Sequence, residues 1–70
     1  MQIDRYPAHI FWSLEDKAFI AIAPDLPGCS AVGDTQAEAL EELQDAIEAW
    51  CEAAKKAGNA IPEPSLEHSA

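Results

Sequence analysis

The stretch from Pro24 to Thr35 constrains the fold of this chain more than any other part of the sequence. It reads PDLPGCSAVGDT and holds two prolines, two glycines and two aspartates. Proline fixes φ and glycine permits backbone conformations that other residues avoid, so the stretch specifies one path rather than a flexible tether. We therefore predict a structural loop that sets how the elements before and after it meet. The residues that carry this prediction are Pro24, Asp25, Leu26, Pro27, Gly28, Cys29, Gly33, Asp34 and Thr35.

Before the loop, residues 8–14 alternate in polarity as a β-strand does. Ile10, Trp12 and Leu14 share one face of this run, and Phe11 lies on the other. A period of two residues is the period of a pleated strand. The run therefore predicts a first strand with apolar side chains on both of its faces.

Two more strands are predicted between this run and the helix. Residues 15–18 form a polar break that suits a hairpin turn, although they lack the glycine that makes tight hairpins easy. Residues 19–23 form the second strand, which ends at Pro24 because proline cannot donate a ladder hydrogen bond. Residues 29–32 can add a short third strand. The sequence thus predicts an antiparallel β-meander.

A long amphipathic helix is predicted from Gln36 to Ala57. Thr35 and Glu38 have the spacing of a capping box at its start, and Gly58 is a natural residue to end it. The predicted apolar stripe is Leu40, Leu43, Ile47, Trp50, Ala54 and Ala57. The opposite arc is acidic and consists of Glu38, Glu41, Asp45, Glu48 and Glu52. The predicted class is α+β, a small meander with one helix packed on one face.

Length and composition predict one small domain. The chain has 70 residues, of which 49% are hydrophobic, so we expect a folded domain over residues 1–64 and a flexible tail over residues 65–70. No run of about 18 apolar residues and no signal-peptide pattern is present, so the expected compartment is the cytoplasm. Cys29 and Cys51 lack the spacing of a metal site, and we expect two reduced thiols that serve packing.

The net charge of −9 limits the partners of this chain. Such a surface repels phosphate, so we expect no direct binding of nucleic acid. It suits a basic protein partner. The charge alone favours simple solubility over a basic partner, because acidic residues on a helix are usually solvated.

The sequence predicts no enzyme. Asp25, Asp34 and Glu38 lie near the loop and the helix start, where paired carboxylates can hold Mg²⁺ for a nuclease reaction. Turn formation and helix capping account for them better. Neither His9 nor His68 has an evident nucleophile and acid partner in the sequence. We therefore expect no catalytic residue, no metal and no cofactor.

The loop resembles the signature of the HicB-like antitoxin family, in which a strand ends in Pro-Asp-Leu-Pro-Gly-Cys and Gly-Asp-Thr opens a helix. The resemblance extends from about Tyr6 to Pro64. It implies a partial RNase H-like unit of three strands, one helix and a possible short fourth strand after Pro64. It also implies a short form, because longer relatives attach a DNA-binding domain that we do not find here.

The resemblance implies a function as well. Proteins of this family block HicA, a small basic ribonuclease, which predicts a basic toxin as the partner of this chain. Its candidate contact residues are Glu41, Asp45, Glu48 and Glu52. The alternatives are an oligomeric binding module of the same fold without a cognate toxin and, with less support, a metal-dependent nuclease.

Self-association is a further expectation. One helix can cover only one face of a three-stranded sheet, so the other apolar set is left for a second copy. We expect a homodimer or a higher oligomer, and the candidate contact residues are Phe11, Trp12 and Phe19.

Overall fold

A computed structural model of the chain describes residues 5–64. Three strands are followed by one long helix, and the strands form an antiparallel sheet in the order β1-β2-β3. The elements are β1 (His9–Ser13), β2 (Ala18–Ile22), β3 (Ser30–Gly33) and α1 (Gln36–Lys56). The predicted α+β class and the meander are confirmed, and the observed bounds differ from the predicted ones by one residue at most of the ends.

The β1–β2 turn contains no glycine and is stabilised by side-chain hydrogen bonds. Lys17 adopts φ = 51°, the left-handed conformation that glycine usually supplies. Ser13 Oγ accepts the backbone N–H of Asp16 at 3.2 Å and donates to Asp16 Oδ2 at 3.1 Å. Ala18, which we expected in this turn, is the first residue of β2.

Helix α1 begins and ends as its sequence predicts. Thr35 Oγ1 accepts the N–H of Glu38 at 3.0 Å, the first half of the predicted capping box. At the other end Gly58 has φ = 76° and its N–H donates to the carbonyl of Lys55 at 3.1 Å. The N–H of Asn59 donates to the carbonyl of Ala54 at 2.8 Å. These two bonds form a Schellman motif, which satisfies carbonyls that the helix itself leaves free.

The buried stripe of α1 differs in part from the predicted one. Its buried residues are Ala39, Leu43, Ile47, Cys51 and Ala54. Leu40 was expected to cover the sheet, but 38% of it is exposed, and Ala57 is exposed as well. The small residues Ala39 and Cys51 are fully buried instead, and Ala39 lies directly against Gly33 at the end of β3.

The core lies between α1 and one face of the sheet. Ala21 in β2 is 0% exposed, and Ala23, which directly follows β2, is 1% exposed. Leu26 in the loop is 1% exposed as well. These side chains form one cluster with the buried stripe of α1. Side chains as small as alanine allow the helix to pack close to the sheet.

Residues 59–64 form neither helix nor strand, and Ile61 packs against the core. The expected tail, residues 65–70, and the possible fourth strand in it lie outside the described residues. Within residues 5–64, no helix combines the length and the apolar character needed to cross a membrane.

Candidate partner-binding surfaces

The acidic face of α1, which we define as Glu41, Asp45, Glu48 and Glu52, is exposed along its whole length. These residues follow one another at steps of four, three and four, so they line one stripe away from the buried residues. Glu41 and Asp45, and likewise Glu48 and Glu52, are like charges four residues apart. Such pairs destabilise a helix by a few tenths of a kcal/mol each, roughly 0.2–0.5. A basic partner would relieve this repulsion.

The loop after β2 consists of two consecutive turns. The N–H of Leu26 donates to the carbonyl of Ala23 at 3.1 Å, and the N–H of Cys29 donates to the carbonyl of Leu26 at 3.0 Å. In the second turn Pro27 precedes Gly28, whose φ is +78°. Proline followed by a residue with positive φ is the arrangement of a type II turn. The predicted conformational demand at Gly28 is therefore present.

The loop is anchored on both sides. The N–H of Ala23 donates to the carbonyl of Cys29 at 3.0 Å, which closes the two turns at their base. Leu26 enters the core, and the indole Nε1 of Trp50 donates to the carbonyl of Pro27 at 3.0 Å. These contacts hold the loop against both the sheet and α1.

Gly33 is required for a reason other than the one we expected. It is the last residue of β3, and positive φ among the glycines of the described chain is found at Gly28 and Gly58 instead. A Cβ at Gly33 would lie 2.8 Å from the Cα of Ala39, well inside van der Waals contact. The glycine lets the first turn of α1 lie directly against the end of β3.

The face of the sheet opposite α1 carries an apolar row. Phe11 pairs with Ile20 and Ile20 pairs with Val32, so the three side chains cross all three strands on one face. Phe11 is 38% exposed and Val32 is 53% exposed. We call this face of β1–β3 the open face. Its positions, of which Ala18 is buried, are His9, Phe11, Ser13, Ala18, Ile20, Ile22, Ser30 and Val32.

The three candidate self-association residues do not share a surface. Phe11 lies on the open face. Trp12 pairs with Phe19 on the face that α1 covers, where their rings meet edge to face with centroids 5.1 Å apart. Phe19 packs against the core, whereas Trp12 remains 47% exposed. The placement therefore separates Phe11 from the other two.

The candidate metal ligands are not brought together. In residues 5–64, no three His, Cys, Asp or Glu side chains are grouped so that they could hold a metal ion. Asp34 and Glu38 are exposed at the helix start, and Asp25 is half-buried in the loop.

Both cysteines are free thiols inside the core, 4% exposed at Cys29 and 0% at Cys51. Burial raises the pKa of the Cys29 thiol, and the nearby Cys51 raises it further. A raised pKa keeps the thiol protonated, whereas a reactive cysteine needs the thiolate. The packing role fits this environment.

Sequence reasoning did not foresee the role of Tyr6. Its side chain is 8% exposed, and its hydroxyl donates to the carbonyl of Pro62, so it joins the segment before β1 to the segment after α1. Burial raises the pKa of Tyr6, with smaller contributions from Cys51, Glu63 and Asp25. A cavity of about 390 Å³ adjoins this contact. No local sequence pattern predicts a contact between residues that lie 56 positions apart.

Comparison with known proteins identifies a family and two relatives. A family model described as a HicB-like antitoxin of a bacterial toxin–antitoxin system matches residues 6–69. A UPF0150 protein of Thermoplasma acidophilum is 40% identical over 53 residues, which are 76% of this chain and 77% of that protein. A UPF0150 protein of Synechocystis sp. is 37% identical over 63 residues, 90% of this chain and 82% of that protein. No solved structure matches the chain.

Proposed function

Since this chain belongs to the HicB-like antitoxin family of bacterial toxin–antitoxin systems, we propose that it binds and neutralises a small basic ribonuclease of the HicA type through the acidic face of α1. Family membership supports an antitoxin role and a toxin partner of some kind. The ribonuclease class of the partner and the surface that binds it are our proposal.

One observation carries the choice of surface. The four carboxylates of the acidic face are all exposed on a single stripe of a helix whose other side packs in the core and whose end is closed by the Schellman motif. A fixed array of like charges attracts a basic protein over a distance and speeds its association. A cationic surface beside these carboxylates offsets their mutual repulsion, and this gain opposes the cost of removing their water.

Neutralisation then follows from occlusion. A ribonuclease that binds the phosphate backbone must present a basic surface to RNA. An acidic helix that occupies this surface competes with RNA for the same cations. No bond is made or broken in this scheme, so it needs neither a catalytic residue nor a metal, in keeping with a non-enzymatic protein.

The test is a matched pair of double charge reversals. Glu41→Lys with Glu48→Lys changes the acidic face, and Glu15→Lys with Glu63→Lys changes two exposed carboxylates elsewhere. Each reversal adds two charges, so both variants go from −9 to −5. The partner to be tested is a small basic protein encoded beside this gene, if the neighbouring reading frames contain one, and the readouts are its binding and its cleavage of RNA.

We expect the helix variant to bind at least tenfold more weakly and to leave RNA cleavage uninhibited, while the control keeps most of its effect. Binding by the unaltered chain should weaken as salt rises, because charges farther apart than about 8 Å are screened at physiological ionic strength. Equal loss in both variants would mean that net charge matters and the helix surface does not.

The second candidate is an oligomeric binding module of this fold without a cognate toxin. The apolar row on the open face favours it, since exposed groups of that size mark interfaces. Inspection of the neighbouring reading frames separates the two candidates: a gene for a basic protein of roughly the same size as this one favours the antitoxin.

A further inference from the structure

We propose that the open face of the sheet is the contact through which two copies of this chain form a dimer, with the two acidic faces directed outward. This inference does not depend on the identity of the toxin. It begins from the row of Phe11, Ile20 and Val32, which runs straight across the three strands.

The lack of charged residues on the open face favours a second copy of this chain as its partner. None of the eight positions of the open face is Asp, Glu, Lys or Arg, although 24% of the chain is charged. A basic partner would find no carboxylate there to pair with. Two copies of a chain with a charge of −9 repel each other through most of their surface, and an uncharged face is where that repulsion is smallest.

The row also suits a two-fold axis. In a symmetric dimer the same patch serves both copies, so it must be complementary to itself. The apolar row has Ile20 at its centre, with Phe11 on one side and Val32 on the other. It meets that condition because apolar side chains can contact the same apolar side chains of a second copy. The flanking positions His9, Ser13 and Ser30 provide a polar rim, as interfaces usually have.

The size of the face sets the expected affinity. Three strands about 4.8 Å apart, with about five residues each at 3.4 Å, span roughly 250 Å² in projection. Stable interfaces bury about 800 Å² on each partner. The dimer should therefore dissociate in the micromolar range or above, and a concentration series is needed to detect it.

The experiment is sedimentation equilibrium of the chain alone, from about 1 µM to about 100 µM, since small interfaces reach micromolar affinity. The test variant is Val32→Lys, at a residue that is 53% exposed at the sheet edge. The matched control is Leu14→Lys, in the turn, where 83% of the residue is exposed. Both replace an exposed aliphatic side chain by lysine, so the net charge changes equally.

We expect the unaltered chain and Leu14→Lys to move from 7.6 kDa toward twice that mass as concentration rises. Val32→Lys should raise the dissociation constant at least tenfold. Thermal melting verifies that the lysine variants fold. Should Val32→Lys fail to fold, Val32→Thr keeps the branched shape with one polar group, and it should weaken the dimer severalfold.

Salt separates this inference from the toxin proposal. Added salt should tighten the dimer, because it screens the repulsion between two acidic copies, whereas it should weaken toxin binding. The inference is overturned by a monomer mass at about 100 µM, or by equal dissociation constants for the two lysine variants. It is also overturned if Val32→Lys abolishes toxin binding by a chain that is monomeric throughout, since the toxin would then occupy the open face.

Discussion

The indole Nε1 of Trp50 donates a hydrogen bond to the carbonyl oxygen of Pro27 at 3.0 Å, and this bond joins the middle of the loop to the second turn from the end of α1. Pro27 precedes the glycine of the second turn, so its carbonyl is held in one direction by the turn. The bond therefore fixes the loop to the helix at a point where the loop itself cannot rearrange.

Trp50→Phe should lower stability through the loss of this bond. A hydrogen bond of this kind contributes about 1 kcal/mol, which corresponds to about 4–8 °C in melting temperature for a domain of this size. Trp12→Phe is the matched control, because Trp12 is 47% exposed and its ring contact with Phe19 can be kept by phenylalanine. Circular dichroism melts of both variants make the comparison. Equal melting temperatures would mean that the Trp50 bond contributes nothing to stability.

The local elements of this fold could be predicted because their signals are local. Alternation gave β1 and β2, and the Thr35 cap and Gly58 marked the two ends of the helix. The buried stripe was harder to place. Alanine is frequent all around α1, so the apolar arc is wide, and hydrophobicity favours the larger Leu40 although the smaller Ala39 is the buried residue.

The relationships between elements could not be predicted, because they depend on long-range packing. Alternation separates Phe11 from Trp12 but does not say which of them faces the helix. The requirement for Gly33 comes from the backbone of Ala39, which only the folded chain brings near. The acidic face was predictable, since exposure at helical spacing follows from the sequence alone.

Gly28→Val should destabilise the domain through its backbone alone. Gly28 has φ = +78°, and a Cβ built there meets no heavy atom within 4 Å. A side chain forced into this region costs about 1–3 kcal/mol, and a β-branched one lies at the upper end. Gly28→Asn is the control, since asparagine tolerates positive φ. The Gly28→Val variant should therefore have a clearly lower melting temperature than the Gly28→Asn variant. If the two melted together, the turn would be able to change its conformation without loss.

Gly33→Ala should be more damaging than Gly28→Ala, although the former has ordinary φ. The added methyl at Gly33 would lie 2.8 Å from the Cα of Ala39, which belongs to backbone and cannot rotate away. The helix start must then move off β3 and open the core beneath it, at a cost of about 1–3 kcal/mol for overpacking. Chemical denaturation of both variants gives the comparison. A smaller loss at Gly33 would mean that α1 shifts freely.

The chain alone should not bind nucleic acid. Its charge of −9 includes only four Lys and Arg residues, and phosphate contacts need such cations in number. A gel shift with the upstream DNA and with an unrelated duplex, both at low salt, should show free probe throughout. Low salt is the most permissive condition, because electrostatic binding is strongest there. A discrete band at that salt concentration would contradict this prediction.

The stability of the fold should fall at alkaline pH through Tyr6. Burial raises the pKa of Tyr6 in the folded chain, while the unfolded chain titrates near the ordinary value of about 10. Below that value both states keep the proton, and the stabilisation is fully present. As pH rises toward the folded pKa, the unfolded state loses its proton first, so unfolding becomes more favourable. Tyr6 is the only tyrosine, so phenolate absorbance reports on it directly.

Tyr6→Phe should lower stability at pH 7 by about 1 kcal/mol through loss of the bond to Pro62, and it should flatten the decline above pH 10. Cys29→Ala is the control for thiol titration, because burial also raises the pKa of Cys29. A phenolate titration at the ordinary tyrosine value in the folded chain would show that Tyr6 is not held inside the domain.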